Sequence, residues 1–381
     1  MTTERVVRNP LRTVHVPGGN PSRAPLEFHR RLIGYAPTPL VDAPVLAERL
    51  GLGRVLVKDE ASRLGLPAFK ILGASWACYR AVVERLGQEP AQWRTMDEVA
   101  EAVARLRPFA LTAATDGNHG RAVAHMARLL GFDARIFVPA GTAAARIEAI
   151  ESEGAAVVVV DGTYEDAVSA SAEQATDRCL VISDTSWPGY EVVPRSVIDG
   201  YATIFWEVDD EVARRGIAPP DVVFAPIGVG ALAAAAVRHF RRDELDDAPF
   251  LVGVEPVGSD CVLASVEAGH IVTIPGPHDS IMAGLNCGTP SLISWPIVSA
   301  GVDWFCAISD ERAEAAMREL AAAGVVSGET GAAALGGLAA VRDDATAQIA
   351  LPFGPTSTVL LLSTEGATDP ASYERIVGRR P

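Results

Sequence analysis

A lysine in an apolar loop is the first residue whose surroundings suggest chemistry. Lys70 lies in GLPAFKILGASWA (65–77), among apolar and small residues and directly before a helical pattern. Most lysines are solvated surface charges, but burial here would disfavour the charged ammonium and lower its pKa. A neutral amine can attack a carbonyl carbon, as a Schiff-base lysine must. Lys70 is therefore a candidate for covalent binding of a carbonyl compound.

A polar loop follows the apolar run FALTAA (109–114). It reads TDGNHG from Thr115 to Gly120. Asp or Asn in such a loop can simply cap the next helix, but this loop carries more polar groups than a cap needs. The Asn118 amide could donate to a phenolate oxygen, and the loop N–H groups could bind a carboxylate. The loop is therefore a candidate binding site for a small anionic ligand.

A glycine-containing loop, GVGALA (228–233), lies between an apolar run and a helical pattern. Glycines let an anion approach the backbone, and a helix N-terminus offers unpaired N–H groups and a favourable dipole. The predicted phosphate ligands are the N–H groups of Gly228, Val229, Gly230, Ala231 and Leu232. The loop also fits a dinucleotide fingerprint, with Glu255 ending the next apolar run as a ribose-binding acid. Both interpretations stay open at this point.

Alternating apolar runs and helical patterns predict the elements that position these loops. Four runs between residues 107 and 187 predict a four-stranded parallel α/β unit. A larger sheet is predicted from five runs: VLVKD (55–59), VVFAPI (222–227), LVGVEP (251–256), VDWFCAIS (302–309) and STVLLLST (357–364). The predicted division is a large domain of residues 1–80 and 188–381 and a small domain of residues 81–187.

The candidate residues follow predicted strand ends. Asp116 comes after FALTAA, Asp184 ends CLVISD, and Ser363 and Thr364 end STVLLLST. Ligands of open parallel sheets bind outside the carboxyl ends of the strands. We therefore expect these side chains and the glycine loop to converge on one crevice.

Composition excludes several classes of function. A net charge of −15 argues against a nucleic-acid or anionic-membrane partner. The longest apolar stretch, Val222–Val237, is interrupted by Gly and Pro and is shorter than the roughly 20 residues of a membrane span. The first fifteen residues contain no apolar h-region, so no secretory signal is expected, and five scattered cysteines indicate a reducing cytoplasm. His and Cys show no zinc-type spacing, so no metal site is expected.

Together, the lysine, the GNH loop and the glycine loop resemble the fold-type II pyridoxal-phosphate enzymes. YAPTPL (35–40) is similar to the Pro-Thr-Pro-Leu segment common in that family. Segments spread over residues 58–370 resemble the 2,3-diaminopropionate ammonia-lyases in particular, most specifically TDGNHG (115–120), IMAGLNCG (281–288) and STEGATD (363–369). The resemblance implies an α/β, tryptophan synthase β-like fold of two parallel-sheet domains with the active site between them. It also implies pyridoxal 5'-phosphate as cofactor and a homodimer.

The resemblance assigns roles to the candidate residues. Lys70 would bind the cofactor as a Schiff base, Asn118 would meet its phenolic oxygen, and the 228–232 loop would hold its phosphate. Ser363, or less favourably Thr364, would hydrogen-bond the pyridine nitrogen, and a neutral partner there favours elimination over transamination. Asp116 and Asp184 match catalytic acids of the family, and with Thr115 they are expected to bind the substrate. Serine racemases have a serine at the position of Asp116, which approaches Cα from the face opposite the lysine.

The implied reaction is α,β-elimination of D- or L-2,3-diaminopropionate to pyruvate and ammonia. Two carboxylates would suit a small amino-acid substrate with a cationic β-amine. Three alternatives stay open: a serine or threonine dehydratase-like lyase, a β-replacement enzyme that traps the intermediate with a nucleophile, and a non-enzymatic nucleotide-sensing module using Glu255.

Four further details come from the resemblance. Pro67, Ala74 and Thr289 stand where the family usually has Asn, Gly and an acidic residue, and these departures bear on the substrate more than on the fold. Cys261 and Cys287 match cysteines that pair near the active site in some relatives, so we expect them to lie close enough to form a disulfide.

Overall fold

The computed structural model describes residues 3–89, 92–245 and 247–381. In chain order, its strands are β1 (Arg5–Arg8), β2 (Leu40–Asp42), β3 (Arg54–Asp59), β4 (Ala110–Ala114), β5 (Asp133–Pro139), β6 (Ala156–Val160), β7 (Cys179–Val181), β8 (Val222–Pro226), β9 (Phe250–Pro256), β10 (Trp304–Ile308) and β11 (Thr358–Ser363). Its helices are α1 (Ala24–His29), α2 (Pro44–Leu50), α3 (Lys70–Leu86), α4 (Met96–Ala102), α5 (Asn118–Leu130), α6 (Ala144–Glu151), α7 (Tyr164–Ala172), α8 (Val192–Arg215), α9 (Ala231–Phe240), α10 (Cys261–Ala268), α11 (Trp295–Gly301), α12 (Asp310–Ala322), α13 (Glu329–Asp343), α14 (Ala345–Ala350) and α15 (Pro370–Val377). Within the described residues, no helix has the length and apolar character needed to cross a membrane.

The chain folds into two compact units. The large unit comprises residues 1–21, 37–62 and 204–381, and the small unit comprises residues 22–36 and 63–203. The sequence-based division placed residues 22–36, 63–80 and 188–203 in the large domain, whereas their contacts group them with the small unit.

A seven-stranded sheet forms the centre of the large unit. Its order is β1-β10-β9-β8-β11-β3-β2, with β1 and β2 antiparallel at the two edges and the inner strands parallel. The inner strands β8, β10 and β11 are buried along their whole length, as expected for parallel strands covered on both faces. All five predicted runs of the larger sheet are confirmed as strands.

The small unit contains a four-stranded, all-parallel sheet in the order β6-β5-β4-β7. This confirms the α/β unit predicted from residues 107–187. Because β4 and β7 are parallel neighbours, their carboxyl ends lie side by side. The loops that follow these two ends carry Asp116 and Asp184.

Two glycines let α3 and the first half of α8 pack with their backbones in contact. A Cβ atom on Gly200 would lie 2.4 Å from the carbonyl oxygen of Leu72, and one on Gly73 would lie 2.5 Å from Cε1 of Tyr201. This close packing explains why both segments belong to the small unit. The sequence did not reveal it because each glycine contacts a residue more than a hundred positions away.

Replacing Gly200 by Ala should destabilise the protein, because the new methyl group would overlap backbone atoms that cannot move aside. We expect a loss of about 1–3 kcal/mol in the free energy of unfolding, measured in urea. Ser196→Ala, one turn earlier on the same helix, is the matched control and should change stability by less than about 0.5 kcal/mol. Equal losses for the two variants would contradict the packing argument.

Candidate active site

Lys70 and Asp184 form a largely buried ion pair in the small unit. Lys70 is the first residue of α3, and its Nζ lies 2.6 Å from Oδ2 of Asp184, three residues beyond β7. The side chains are 17% and 6% exposed. The sequence predicted both residues as site residues, and the structure brings them together.

Asp184 determines the protonation state of the Lys70 amine. Burial alone would lower the pKa of Lys70, but the Asp184 carboxylate, followed by Tyr201 and Asp116, raises it above the ordinary value. Burial would likewise raise the pKa of Asp184, but Lys70, His119 and Tyr164 lower it. The predicted lowering of the Lys70 pKa is therefore wrong, because the sequence could not show the carboxylate beside the amine. The Asp184 carboxylate therefore holds the amine as an ammonium ion.

The second oxygen of Asp184 is also hydrogen-bonded. The Tyr164 hydroxyl donates to Oδ1 at 3.2 Å. Tyr164 is the first residue of α7, which begins with a capping box formed by Thr163 and Asp166. Sequence analysis missed Tyr164. The capping signature at Thr163 could have placed it in the first turn of a helix, but nothing local indicated that it reaches Asp184.

The 115–118 loop is shaped by its own residues. The Thr115 hydroxyl, predicted to bind substrate, is buried and accepts a hydrogen bond from the Gly117 N–H at 2.8 Å. Gly117 has φ +151°, in the region that favours glycine, and a Cβ there would lie 3.1 Å from Cδ of Arg146. Gly117 is also the N-cap of α5, which has no side-chain cap. Asp116 therefore does not cap this helix.

Asp116 is half-buried beside the Lys70–Asp184 pair. Its carboxylate makes no hydrogen bond or ion pair with another described residue, yet its charge contributes to the raised pKa of Lys70. Asn118, the first residue of α5, follows two positions later. An unengaged carboxylate near an amine is suited to accept a proton.

The large unit carries the glycine loop, between β8 and α9. Gly230 is the N-cap of α9 with φ +98°, and no side chain caps the helix. A Cβ on Gly228 would lie 3.1 Å from the carbonyl oxygen of Gly284 and 3.3 Å from Sγ of Cys287. There is thus little room for a side chain at position 228, and the loop leads into a helix N-terminus that no side chain caps. Such a helix N-terminus suits a phosphate group. Cys261 and Cys287 are both buried in this unit, and their predicted proximity stays a prediction.

Two hydroxyls at the end of β11 differ in hydrogen bonding. The Ser363 hydroxyl donates to Oγ of Ser327 at 2.9 Å, and Ser327 in turn donates to the carbonyl oxygen of Gly328. The Thr364 hydroxyl is buried and has no partner among the described residues. A pyridine nitrogen needs a donor, and Thr364 has one available. Thr364 is thus the candidate with an unengaged hydroxyl, and the sequence-based choice of Ser363 over Thr364 stays a prediction.

The chain contains two lysines, and the one other than Lys70 is Lys58. Its amine is fully buried in the large unit, donating to the carbonyl oxygen of Thr38 at 2.8 Å and to Oε2 of Glu207 at 2.6 Å. An amine enclosed in this way is structural. Lys70 is left as the amine available for covalent chemistry.

Glu255 is unavailable for a nucleotide ribose. Its buried carboxylate accepts hydrogen bonds from the Val262 and Leu263 N–H groups, both at 2.8 Å, and so caps α10. Burial raises its pKa well above the ordinary value. The dinucleotide interpretation therefore loses its ribose ligand. Among the described residues, no group of three or more His, Cys, Asp or Glu side chains is arranged to hold a metal ion.

Comparisons with known proteins agree with this geometry. A family model described as pyridoxal-phosphate dependent enzyme matches residues 32–364. The chain is 35% identical to the diaminopropionate ammonia-lyase of Escherichia coli over 362 residues, covering 92% of this chain and 89% of that protein. The enzyme of the same name from Salmonella typhimurium is 34% identical over 373 residues, covering 94% and 92%. The L-serine dehydratase/L-threonine deaminase of Rattus norvegicus is 27% identical over 256 residues, covering 63% and 67%.

Solved structures give the same picture. The Escherichia coli diaminopropionate ammonia-lyase in complex with D-serine superposes with a TM-score of 0.90 at 32% identity, covering 98% of this chain and 97% of that one. The same enzyme with an aminoacrylate–pyridoxal phosphate azomethine reaction intermediate gives a TM-score of 0.88 at 32% identity, covering 99% and 97%.

Asp184→Asn should shift the reactivity of Lys70 to lower pH. Removing the carboxylate leaves burial as the main influence on the amine, so its pKa should fall, by about 1–3 units. Acetylation of cofactor-stripped protein across a pH series, read by mass spectrometry, measures this. The exposed Asp177→Asn in the same unit is the matched control. A Lys70 profile that does not move in the Asp184 variant would disprove the charge coupling.

Proposed function

Because this chain belongs to the pyridoxal-phosphate-dependent enzymes, we propose that it catalyses the α,β-elimination of 2,3-diaminopropionate to pyruvate and ammonia. The observation that carries the proposal is the buried Lys70–Asp184 pair with Asp116 beside it. Two diaminopropionate ammonia-lyases similar to almost the whole chain support it. When bound, pyridoxal 5'-phosphate withdraws electrons from the Cα of an attached amino acid and so acidifies its proton.

The chain's own residues fit this cofactor. Lys70 would bind it covalently, and Asn118 would hydrogen-bond its phenolic oxygen. The N–H groups of Gly228, Val229, Gly230, Ala231 and Leu232 would hold its phosphate. Thr364, whose buried hydroxyl lacks a partner, would donate to its ring nitrogen, with Ser363 in the chain of hydroxyls beside it. A neutral donor leaves that nitrogen unprotonated, which suits elimination.

Asp184 provides the argument for a β-ammonium substrate. While Lys70 is an ammonium ion, its charge balances the buried carboxylate. Once the Lys70 amine is covalently engaged, Asp184 loses that partner, and an unpaired buried carboxylate is costly. A β-ammonium group would restore a cation next to Asp184, and its nitrogen could depart as neutral ammonia. The β-hydroxyl of serine would not restore the charge balance.

Asp116 is proposed as the base on the face opposite Lys70. Its carboxylate is not engaged by another described residue, and it does not cap α5. Lys70 would then accept the Cα proton of the L-substrate and Asp116 that of the D-substrate. Asp184 would hold the β-nitrogen in both cases.

The second candidate function is dehydration of serine or threonine, with water as leaving group. The similarity to the rat L-serine dehydratase/L-threonine deaminase favours it, over a smaller part of the chain and at lower identity. A β-replacement reaction would use the same residues but would require an added nucleophile.

A screen of 2-oxoacid release over both enantiomers of diaminopropionate, serine and threonine tests the proposed function. We expect a diaminopropionate enantiomer to give the highest kcat/KM, because it alone supplies a β-ammonium to Asp184. Lys70→Ala should show no turnover. A higher kcat/KM with serine or threonine would support the dehydratase instead. Product formed only with an added nucleophile would indicate β-replacement.

Asp116→Asn should nearly eliminate turnover of D-diaminopropionate and preserve much of the L-activity. An amide cannot accept the proton, and loss of a general base costs on the order of 100- to 10,000-fold. Steady-state kinetics with each enantiomer make the comparison. Equal losses with both enantiomers would show that Asp116 binds the substrate or acts on the leaving group, and the two-base model would be wrong.

We also propose a cytoplasmic location and a homodimer. Cys78, Cys179 and Cys306 are not in disulfides, which is in keeping with a reducing compartment. The homodimer rests on the family resemblance, and sedimentation velocity measures it directly.

A further inference from the structure

The peptide segment that carries Asp184 is irregular and buried. β7 ends at Val181, and Ile182 and Ser183 continue beyond the strand before Asp184 is reached. The Ile182 N–H still donates to the carbonyl oxygen of Thr112 at 2.8 Å. The other backbone polar groups here lack strand partners, and buried backbone groups need hydrogen bonds. Side chains supply them.

One phenol oxygen binds both sides of the segment. The Tyr190 hydroxyl donates to the carbonyl oxygen of Val181 at 2.7 Å and accepts from the Ser183 N–H at 3.0 Å. Burial raises the pKa of Tyr190, so the phenol keeps the proton that it donates. Between these two bonds, the His119 ring lies with Nε2 2.7 Å from the carbonyl oxygen of Ile182. A carbonyl oxygen only accepts, so Nε2 carries the hydrogen.

A tight turn fixes the Tyr190 ring. The Tyr190 N–H donates to the carbonyl oxygen of Trp187 at 2.9 Å, and Gly189 between them has φ +86°. Pro188 and Gly189 are the residues that a type II turn prefers at its two central positions. The Trp187 and Tyr190 rings stack with centroids 4.2 Å apart and planes inclined by 13°. The turn and the stacking therefore place the hydroxyl without help from the hydroxyl's own bonds.

We propose that Tyr190 is a positioning residue that sets Asp184 against Lys70 by fixing the peptide groups on both sides of Ile182. The inference rests on the proposed function in one respect, that Asp184 receives the β-ammonium of the substrate. Both hydrogen bonds of the phenol oxygen go to the Val181–Ser183 segment. The hydroxyl therefore acts on the placement of the Asp184 carboxylate, which lies one residue after Ser183 and three after Val181, and the ring acts on the turn.

Tyr190→Phe isolates the hydroxyl because phenylalanine retains the stacking on Trp187. Paired with Asp184→Asn, it forms a double-mutant cycle on kcat/KM for diaminopropionate. We expect Tyr190→Phe to lower kcat/KM by roughly 10- to 100-fold, mainly through KM, since a displacement of about 1 Å in a binding group can cost this much. In the Asp184→Asn background the same change should have almost no effect. Losses that multiply in the double variant would overturn the proposal.

Tyr79→Phe is the matched control. Its hydroxyl also makes two hydrogen bonds in the small unit, accepting from Nε1 of Trp93 at 3.0 Å and donating to Oε1 of Glu89 at 3.2 Å. Both Tyr→Phe variants should lower the urea midpoint. Only the Tyr190 variant should lower kcat/KM.

A second readout is independent of turnover. If Tyr190 positions Asp184, Tyr190→Phe should shift the pH profile of Lys70 acetylation towards lower pH, in the direction of Asp184→Asn, with no further shift in the double variant. If this holds while diaminopropionate is not a substrate, the proposed function fails and the role of Tyr190 stands. An unchanged Lys70 profile together with a lowered urea midpoint would overturn the proposal, because Tyr190 would then be purely structural.

Discussion

The ion pair of Lys70 and Asp184 is the constraint on which the site in the small unit depends. The two residues are 114 positions apart in the chain, and both are withdrawn from water. Taking two charges out of water costs several kcal/mol for each ion, and the mutual attraction offsets this only when the geometry is good. The start of α3, the end of β7 and the first turn of α7 must therefore be placed together. A small error in any of them would leave a buried charge without its partner.

The two lysines of the chain show how position determines the use of an amine. Lys58 extends from the interior strand β3 and is enclosed by Glu207 and the carbonyl oxygen of Thr38. Lys70 stands at the first position of α3, where the positive end of the helix dipole disfavours an ammonium ion by about 0.3–1 kcal/mol. Asp184 opposes that effect and keeps the amine charged. The protonation of Lys70 thus depends on two opposing effects, the dipole of α3 and the carboxylate of Asp184, whereas Lys58 lies in a strand and experiences no such opposition.

The sequence predicted the features that short stretches of chain determine. Continuous apolar runs marked the four strands of the small sheet and five of the seven strands of the large sheet, but not the short edge strands β1 and β2. The polar and glycine-rich loops after these runs marked the candidate site residues. It failed where a partner is remote in the chain. The raised pKa of Lys70 depends on Asp184, the hydrogen bond of the Ser363 hydroxyl depends on Ser327, and the boundary of the small unit depends on Gly200 meeting Leu72. Tyr164 and Tyr190 had no local signal, because aromatic residues in helical or turn patterns are common.

Helices that begin without a capping side chain can bind an anion, whereas a helix whose first N–H groups are bonded by a side chain cannot. The helices α5 and α9 begin after Gly117 and Gly230, glycines with positive φ and no capping side chain. A side-chain cap would occupy the N–H groups that an anion needs. The neighbouring helix α10 follows β9 in the same sheet, yet Glu255 fills its first-turn N–H groups. Glu255, which completed a dinucleotide fingerprint in the sequence, thus prevents α10 from binding an anion. Of the two helices α9 and α10, only α9 has an N-terminus open to a phosphate.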